Sequence, residues 1–266
     1  GKHSPPRTNS QAIMFNLFTR RKPLPELGLL EGMADVHSHL LPGVDDGMPD
    51  GASSYAACRW LESRGVRRVL LTPHVMEDLP GNRPDSLRAR FREFLAGNPT
   101  SVEFRLAGEY MMDGGFRRQQ SEHGLLTLDG RRVLVETSYM GASPEVDSIL
   151  YGLSLGGYQP VVAHPERYLY MPEESLWGLK RRGCEFQLNL VSLSGQYGRE
   201  VERRARRLLL SGFYSYAGSD LHRLSSYRHS LSRLLLSARE AAAVRQLLDG
   251  NDRLWRDASF PPASPG

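Results

Sequence analysis

Asp35-Val36-His37-Ser38-His39-Leu40-Leu41-Pro42-Gly43-Val44-Asp45-Asp46-Gly47 is the stretch on which the reading of this chain turns. It grows out of the apolar run Met33–Asp35, so the two imidazoles arrive where a buried strand ends. Side chains alternate faces along a strand, which points His37 and His39 the same way and lets both reach one ion. Neutral imidazole is the commonest side-chain ligand for borderline metals. Asp45-Asp46-Gly47, taken alone, is a turn with a left-handed glycine. Beside the two histidines one of its aspartates becomes a candidate ligand, and Asp46 is favoured.

The same punctuation recurs outward along the chain. Val69-Leu70-Leu71 precedes Thr72-Pro73-His74, and Ala107-Gly108 precedes Glu109. Val133-Leu134-Val135 runs into Glu136, Pro160–Ala163 into His164, and Gly218-Ser219 into Asp220-Leu221-His222. A carboxylate at the end of so apolar a strand as that of Glu136 is costly unless it meets a cation; a salt bridge to an arginine is the plainer alternative. His164-Pro165-Glu166-Arg167 adds a guanidinium beside the candidate ligands. A cation over a cluster of cations makes electrostatic sense when an anion such as phosphate bridges them; pairing of Arg167 with Glu166 is the competing reading.

Strand-like and helix-like segments alternate from Gly32 to Gly250, which favours an α/β fold. Strands are expected near 33–39, 66–73, 102–109, 131–136, 159–164, 184–190 and 213–219. Helices are expected at 50–64, 84–96, 144–156, 173–182, 198–211, 229–236 and 239–249. Asp50 supplies an acidic cap for the first helix and Gly65 its exit. Seven such units suit a distorted relative of the eightfold barrel, whose chemistry gathers at the carboxyl ends of the strands. The candidate ligands fall at those ends.

Length and composition bound the rest. At 266 residues and 40% apolar content the chain can bury one core. Residues 1–31 read as a disordered leader or an expression scar followed by a linker, 32–258 as a single domain, and 259–266 as a disordered tail. No apolar stretch approaches the ~20 residues that span a bilayer, so a soluble protein is expected. The apolar-then-basic Met14–Lys22 segment allows at most a light membrane contact. Two cysteines, Cys58 and Cys184, fit free thiols in a reducing cytoplasm. Net charge is +4, and the basic residues are 31 Arg against 3 Lys. Composition cannot separate phosphate recognition from codon bias, and no basic groove for nucleic acid can be defined.

The ordered motifs resemble the PHP (polymerase and histidinol phosphatase) superfamily. More narrowly, they are similar to the bacterial metal-dependent protein-tyrosine phosphatases of capsule and exopolysaccharide loci, the CpsB/YwqE type. Asp35 to Gly47, Thr72-Pro73-His74, Gly108-Glu109, Val135-Glu136, Ala163 to Arg167 and Gly218 to His222 match successive family motifs in order. Leu188 to Gly198 is similar to a stretch between the last two. The match runs from Met33 to Leu248.

This resemblance implies a distorted seven-stranded (β/α)7 barrel, a TIM-barrel-like PHP fold, that hydrolyses phosphotyrosine with a metal-activated hydroxide. It implies two or three divalent ions, Mn foremost with Fe, Zn or Co as alternatives. Their ligands would be His37, His39, Asp46, His74, Glu109, Glu136, His164, Asp220 and His222. Arg167 would hold the phosphate, with Arg228 as a second arginine whose spacing is shifted by one residue. Val75 stands where the family often has His or Asn. The implied partner is a tyrosine-phosphorylated protein, the tail of a bacterial tyrosine autokinase. A phosphatase for a small phosphomonoester such as histidinol phosphate, and a non-catalytic module binding a phosphorylated tail, are the competing readings. Cys58 and Arg64 stand in the Cys-x5-Arg relation of cysteine-based phosphatases. That loop needs free backbone N–H groups, whereas the residues between them here are bulky and continue a helix.

Overall fold

The structure is a computed structural model that describes residues 21–141 and 143–258. The expected leader up to residue 20 and the expected tail 259–266 lie outside the described residues. The segment expected to be a linker instead packs. Two residues, Lys22–Pro23 (β1), lead into a short 3-10 turn, and Leu24, Leu29 and Leu30 are buried. The apolar content of this stretch outweighs its prolines, which sit where no ladder N–H is required.

Ala34–Asp35 (β2) carries the first motif to the rim, and Gly51–Ser63 (α1) follows it. Asp50 caps α1 by accepting the Ser53 N–H at 2.8 Å, and Gly65 leaves it at φ +85°. Arg68–Leu71 (β3) then stops, and the chain restarts as His74–Val75 (β4) before Pro84–Gly97 (α2). The same break separates Glu103–Leu106 (β5) from Glu109–Met111 (β6). Each expected strand is therefore two short pieces. Pro73 has no N–H to continue a ladder, and a Cβ at Gly108 would lie 2.9 Å from the Tyr110 ring.

Phe116–His123 (α3) was not expected, because Phe116 is its only buried residue and gives no helical apolar period. Regular alternation resumes with Arg132–Glu136 (β7), Val146–Leu155 (α4), Gln159–Ala163 (β8), Glu173–Arg181 (α5) and Glu185–Asn189 (β9). It continues through Arg199–Leu210 (α6), Tyr216–Gly218 (β10) and Leu224–Arg233 (α7). The helix α7 begins earlier than the expected 229–236. Leu235–Leu236 (β11) pairs antiparallel with β1, and Ala238–Asp257 (α8) ends the described chain.

Strands β4, β6, β7, β8, β9 and β10 form one parallel sheet, and β2, β3 and β5 a second. The offset at Pro73 and Gly108 passes two strand paths from one sheet to the other. Ala107 N–H reaches Leu71 O at 2.8 Å and Glu109 N–H reaches Pro73 O at 3.0 Å, which keeps the paths side by side. Beyond the ends of β2 and β10 the two paths are joined by a parallel bridge, Ser38 to Leu221, and among the described residues no ladder pairs the two strands themselves. Below it, the Asn251 amide of α8 donates to both Ala34 O (2.8 Å) and Ala217 O (2.6 Å). Among the described residues no helix is long and apolar enough to cross a membrane.

Candidate metal centre

The carboxyl ends of the strands converge. His37 and His39 follow β2, His74 opens β4, Glu109 opens β6, Glu136 ends β7, His164 follows β8 and Asp220 follows β10. All but His74 are buried. Gly218 exists for this approach, since a Cβ there would stand 2.5 Å from that of His37. His164 and Asp220 hold left-handed backbone conformations, φ +34° and +50°, rare for non-glycine residues and typical of functional sites.

Each imidazole of the inner group is tied by its outer nitrogen, so the other faces the cluster. His37 Nδ1 lies 2.9 Å from Gln187 Oε1, and His39 Nδ1 lies 2.9 Å from Asp45 Oδ2. His164 Nδ1 lies 3.3 Å from the Tyr168 hydroxyl. Such outer partners fix ring orientation in metal sites. The inward nitrogens meet at Glu109: His37 Nε2 and His39 Nε2 at 3.3 Å, His164 Nε2 at 2.9 Å and His74 Nδ1 at 3.1 Å. Asp220 divides its oxygens. Oδ1 faces His37 at 3.3 Å and His39 at 3.4 Å, while Oδ2 accepts from Arg167 at 3.2 Å and from Asn189 at 2.7 Å.

On the solvent side, Asp46 Oδ1 approaches His74 Nε2 at 3.4 Å and His222 Nε2 at 3.3 Å. The two acidic neighbours in the turn thus take different places. Asp46 joins the donors, whereas Asp45 orients His39 and also accepts the His74 backbone N–H at 3.1 Å. The sequence offered no means of assigning Asp45, Gln187 or Asn189 these positions. Asn189 did lie within the Leu188 to Gly198 stretch that the resemblance marked.

Electrostatics follow from this crowding. Burial favours neutral carboxyls, but His37 and His74 outweigh it and hold Glu109 well below the usual range. Asp220 is lowered likewise, burial being overcome by His37 and His39. For His74, burial is outweighed by Glu109, Asp46 and Glu136, and its pKa is raised far above that of free imidazole. His37 and His39 are raised in the same way, against burial, by the carboxylates they face. Protons are the charge that holds this set together when no other cation is considered.

Those protons do not satisfy it. His74 Nδ1 lies 2.8 Å from Glu136 Oε1 and 3.1 Å from Glu109 Oε2, yet these three buried atoms have no hydrogen-bond partner among the described residues. Close donors that point past one another leave room for a shared ion. Four overlapping groups have ligand atoms within 4.8 Å of each other. They are His39, Asp46, His74 and His222; His37, His39 and Asp220; His37, Glu109 and His164; and His74, Glu109 and Glu136. The residues fit divalent ions of borderline character, for which mixed nitrogen and oxygen donors are suited.

A cleft of ≈ 440 Å³ opens over the cluster, lined by Tyr139, Arg167, Tyr197 and Tyr227 beside the donors. Arg228, expected as a second anion-binding arginine, is not among its lining residues. It falls on the exposed side of α7, whereas Arg223, just ahead of that helix, lines the cleft. Cys58 is buried within α1 and its thiol is pushed up to about 12 by that burial. A protonated thiol inside a helix is no nucleophile. Cys58→Ser is expected to keep turnover of an aryl phosphate within about twofold of the parent, and complete loss of it would reinstate the cysteine.

This arrangement defines an α/β protein with several clustered His, Asp and Glu groups at the strand ends that could hold metal ions. Residues 33–239 match the family described as capsular polysaccharide synthesis, CpsB/CapC, and the chain belongs to that family. It is 28% identical over 200 residues to the tyrosine-protein phosphatase YwqE of Bacillus subtilis, covering 73% of this chain and 79% of that protein. It is 26% identical over 236 residues to the tyrosine-protein phosphatase CpsB of Streptococcus pneumoniae, covering 83% and 97%. Among solved structures it is similar to a chain from the crystal structures of YwqE and CpsB, described as unique metal-dependent tyrosine phosphatases. The TM-score there is 0.72 at 26% identity, over 86% of this chain and 96% of that one.

Proposed function

We propose that this chain is a metal-dependent protein-tyrosine phosphatase acting in capsular or exopolysaccharide synthesis. The observation that carries the reading is the meeting of His74 Nδ1, Glu109 Oε2 and Glu136 Oε1, buried and unpartnered, beneath a cleft that also holds Arg167. His37, His39, Asp46, His74, Glu109, Glu136, His164, Asp220 and His222 would hold two or three divalent ions, with Mn the foremost candidate and Fe, Zn or Co alternatives. Bound by these residues, divalent ions would supply Lewis acidity to activate a water and to offset phosphoryl charge.

The chain's own residues do the rest. Arg167, anchored on Asp220, offers its remaining N–H groups to the phosphoryl oxygens. Asp220, held from behind by Arg167 and Asn189, keeps its other oxygen on the His37 and His39 side. Tyr139, Tyr197, Tyr227, Met76 and Met111 give the cleft aromatic and apolar walls that suit a phenyl ring. Tyrosinate leaves with a conjugate-acid pKa of about 10, well below that of a serine alkoxide, so weak protonation of the leaving group is tolerable.

The same reading takes the two parallel sheets as parts of one distorted seven-stranded barrel. It is supported by seven strand paths in sequential order and by the β2–β10 seam at Ser38, Leu221 and Asn251. It also takes 32–258 as one catalytic domain, extended at its start by the packed segment from Lys22. The substrate would be the phosphorylated tail of a bacterial tyrosine autokinase, met in the cytoplasm, where Cys58 and Cys184 remain thiols.

The test is turnover by protein reconstituted with Mn, Fe, Zn or Co on phosphotyrosyl and phosphoseryl peptides and on histidinol phosphate. Phosphotyrosyl turnover should exceed the others by about two orders of magnitude or more. Preference for the alkyl phosphate would move the assignment to a small phosphomonoester. Metal binding without hydrolysis of any of them would leave a phospho-tail binding module.

A further inference from the structure

Arg167 is caged in a way that the phosphatase reading does not by itself require. Its guanidinium carbon lies 3.9 Å from the centre of the Tyr139 ring and 4.2 Å from the centre of the Tyr197 ring. One of its nitrogens is spent on Asp220 at 3.2 Å. No other hydrogen bond of the Arg167 side chain is found among the described residues, although that side chain is only 17% exposed. A guanidinium carries five N–H donors in one plane. Rings packed on it hold that plane still while leaving its edges open.

Both rings are themselves held. Tyr139 stacks on Tyr168 at 6.0 Å between centres and 25° between planes. The Tyr168 hydroxyl donates to Ala163 O at 3.0 Å and accepts the Thr137 N–H at 3.2 Å, which ties the loop after β7 to the end of β8. Tyr197 receives the Asn189 amide on its hydroxyl at 3.3 Å, and the same amide nitrogen reaches Asp220 Oδ2 at 2.7 Å. Arginine, aspartate and both rings therefore form one connected assembly. Tyr139 remains 44% exposed, at the mouth of the cleft.

We propose that Tyr139 and Tyr197 are positioning residues that clamp Arg167 between two aromatic faces, presenting its unbonded N–H edge to a phosphoryl group. The proposal rests on the phosphatase reading for its substrate but not for its geometry. An unclamped Arg167 would swing on its flexible stem, and anion binding would bear the cost of arresting it. With the clamp that ordering is already in place before the anion arrives.

The probe is inorganic phosphate, titrated calorimetrically into metal-loaded protein, with steady-state kinetics on p-nitrophenyl phosphate alongside. Tyr139→Leu and Tyr197→Leu should each weaken phosphate binding by about tenfold, and KM should rise more than kcat falls. Tyr139→Phe keeps the ring and should restore binding to within about twofold of the parent. In an Arg167→Ala background the same leucine substitutions should change phosphate binding by no more than about twofold, because a residue acting through Arg167 has nothing left to position. Equal losses in both backgrounds, or no loss in either, would overturn the clamp. Should Tyr197→Leu melt the fold, the half-exposed Tyr139 carries the comparison alone. Phosphate that binds through Arg167 without any phosphotyrosyl turnover would uphold the clamp and refute the enzyme.

Discussion

Replacing Glu109 by glutamine is expected to lower kcat/KM on a phosphotyrosyl peptide by about three orders of magnitude or more while leaving the protein folded. Glu109 is the geometric hub, within 3.3 Å of His37, His39, His74 and His164. It belongs to two of the four candidate ion groups. Glutamine keeps the size but removes the negative charge and turns one acceptor into a donor aimed at ring nitrogens. If these groups hold ions, a neutral amide in place of the carboxylate would lower their occupancy. Metal analysis by mass spectrometry should show fewer ions per chain, alongside an unchanged circular dichroism spectrum. Retention of more than about a tenth of the activity would remove Glu109 from the centre of the site.

The second large effect is on stability, and its sign depends on pH. Protein stripped of metal relies on protons to pair its buried donors. His37, His39 and His74 have pKa values raised on folding, so their contribution is complete below the unfolded value near 6.5 and declines as pH rises above it. Glu109 and Asp220 are lowered on folding, so theirs is complete above about 4.5 and is lost as pH falls further. The stripped protein should thus be most stable between about pH 4.5 and 6.5 and lose Tm towards pH 8. Metal binding needs deprotonated ligands and strengthens over that same rise. The Tm gap between loaded and stripped protein should therefore widen from pH 6 to pH 8. Saturating metal at about a hundred times its Kd adds about 2.7 kcal/mol, or roughly 5–10 °C for a domain of this size. Differential scanning calorimetry at three pH values decides the matter: a gap that narrows with pH contradicts the proposed ligand set.

Most of the donors were legible because they follow apolar runs in the sequence, and parallel strands deliver their carboxyl ends to a single rim. The residues that steer those donors were not. Gln187 and Asn189 lie inside a strand pattern that says nothing about which ring or carboxylate they will meet, and Asp45 is indistinguishable from Asp46 until the turn is folded. Arg223 precedes α7 and lines the cleft whereas Arg228 lies within the helix on its exposed side, a difference the expected helix start at 229 could not reveal. Tyr139 follows β7 in a loop without periodicity, so its stacking on Arg167 left no trace in the sequence.

Gly250 misled for a physical reason. It reads as a helix stop, yet α8 runs through it to Asp257. A Cβ there would stand 2.6 Å from Ser215 O, so the glycine permits close approach of helix to backbone rather than a left-handed exit. The break at Pro73 likewise looked like the end of a strand, when it marks the passage of that strand path from one sheet to the other.

Asn251, on α8, joins the first and last strands of the two parallel sheets at Ala34 and Ala217. The strands it ties are the ones that lead to His37 and Asp220, so a single amide braces the two edges of the ion site from the far end of those strands.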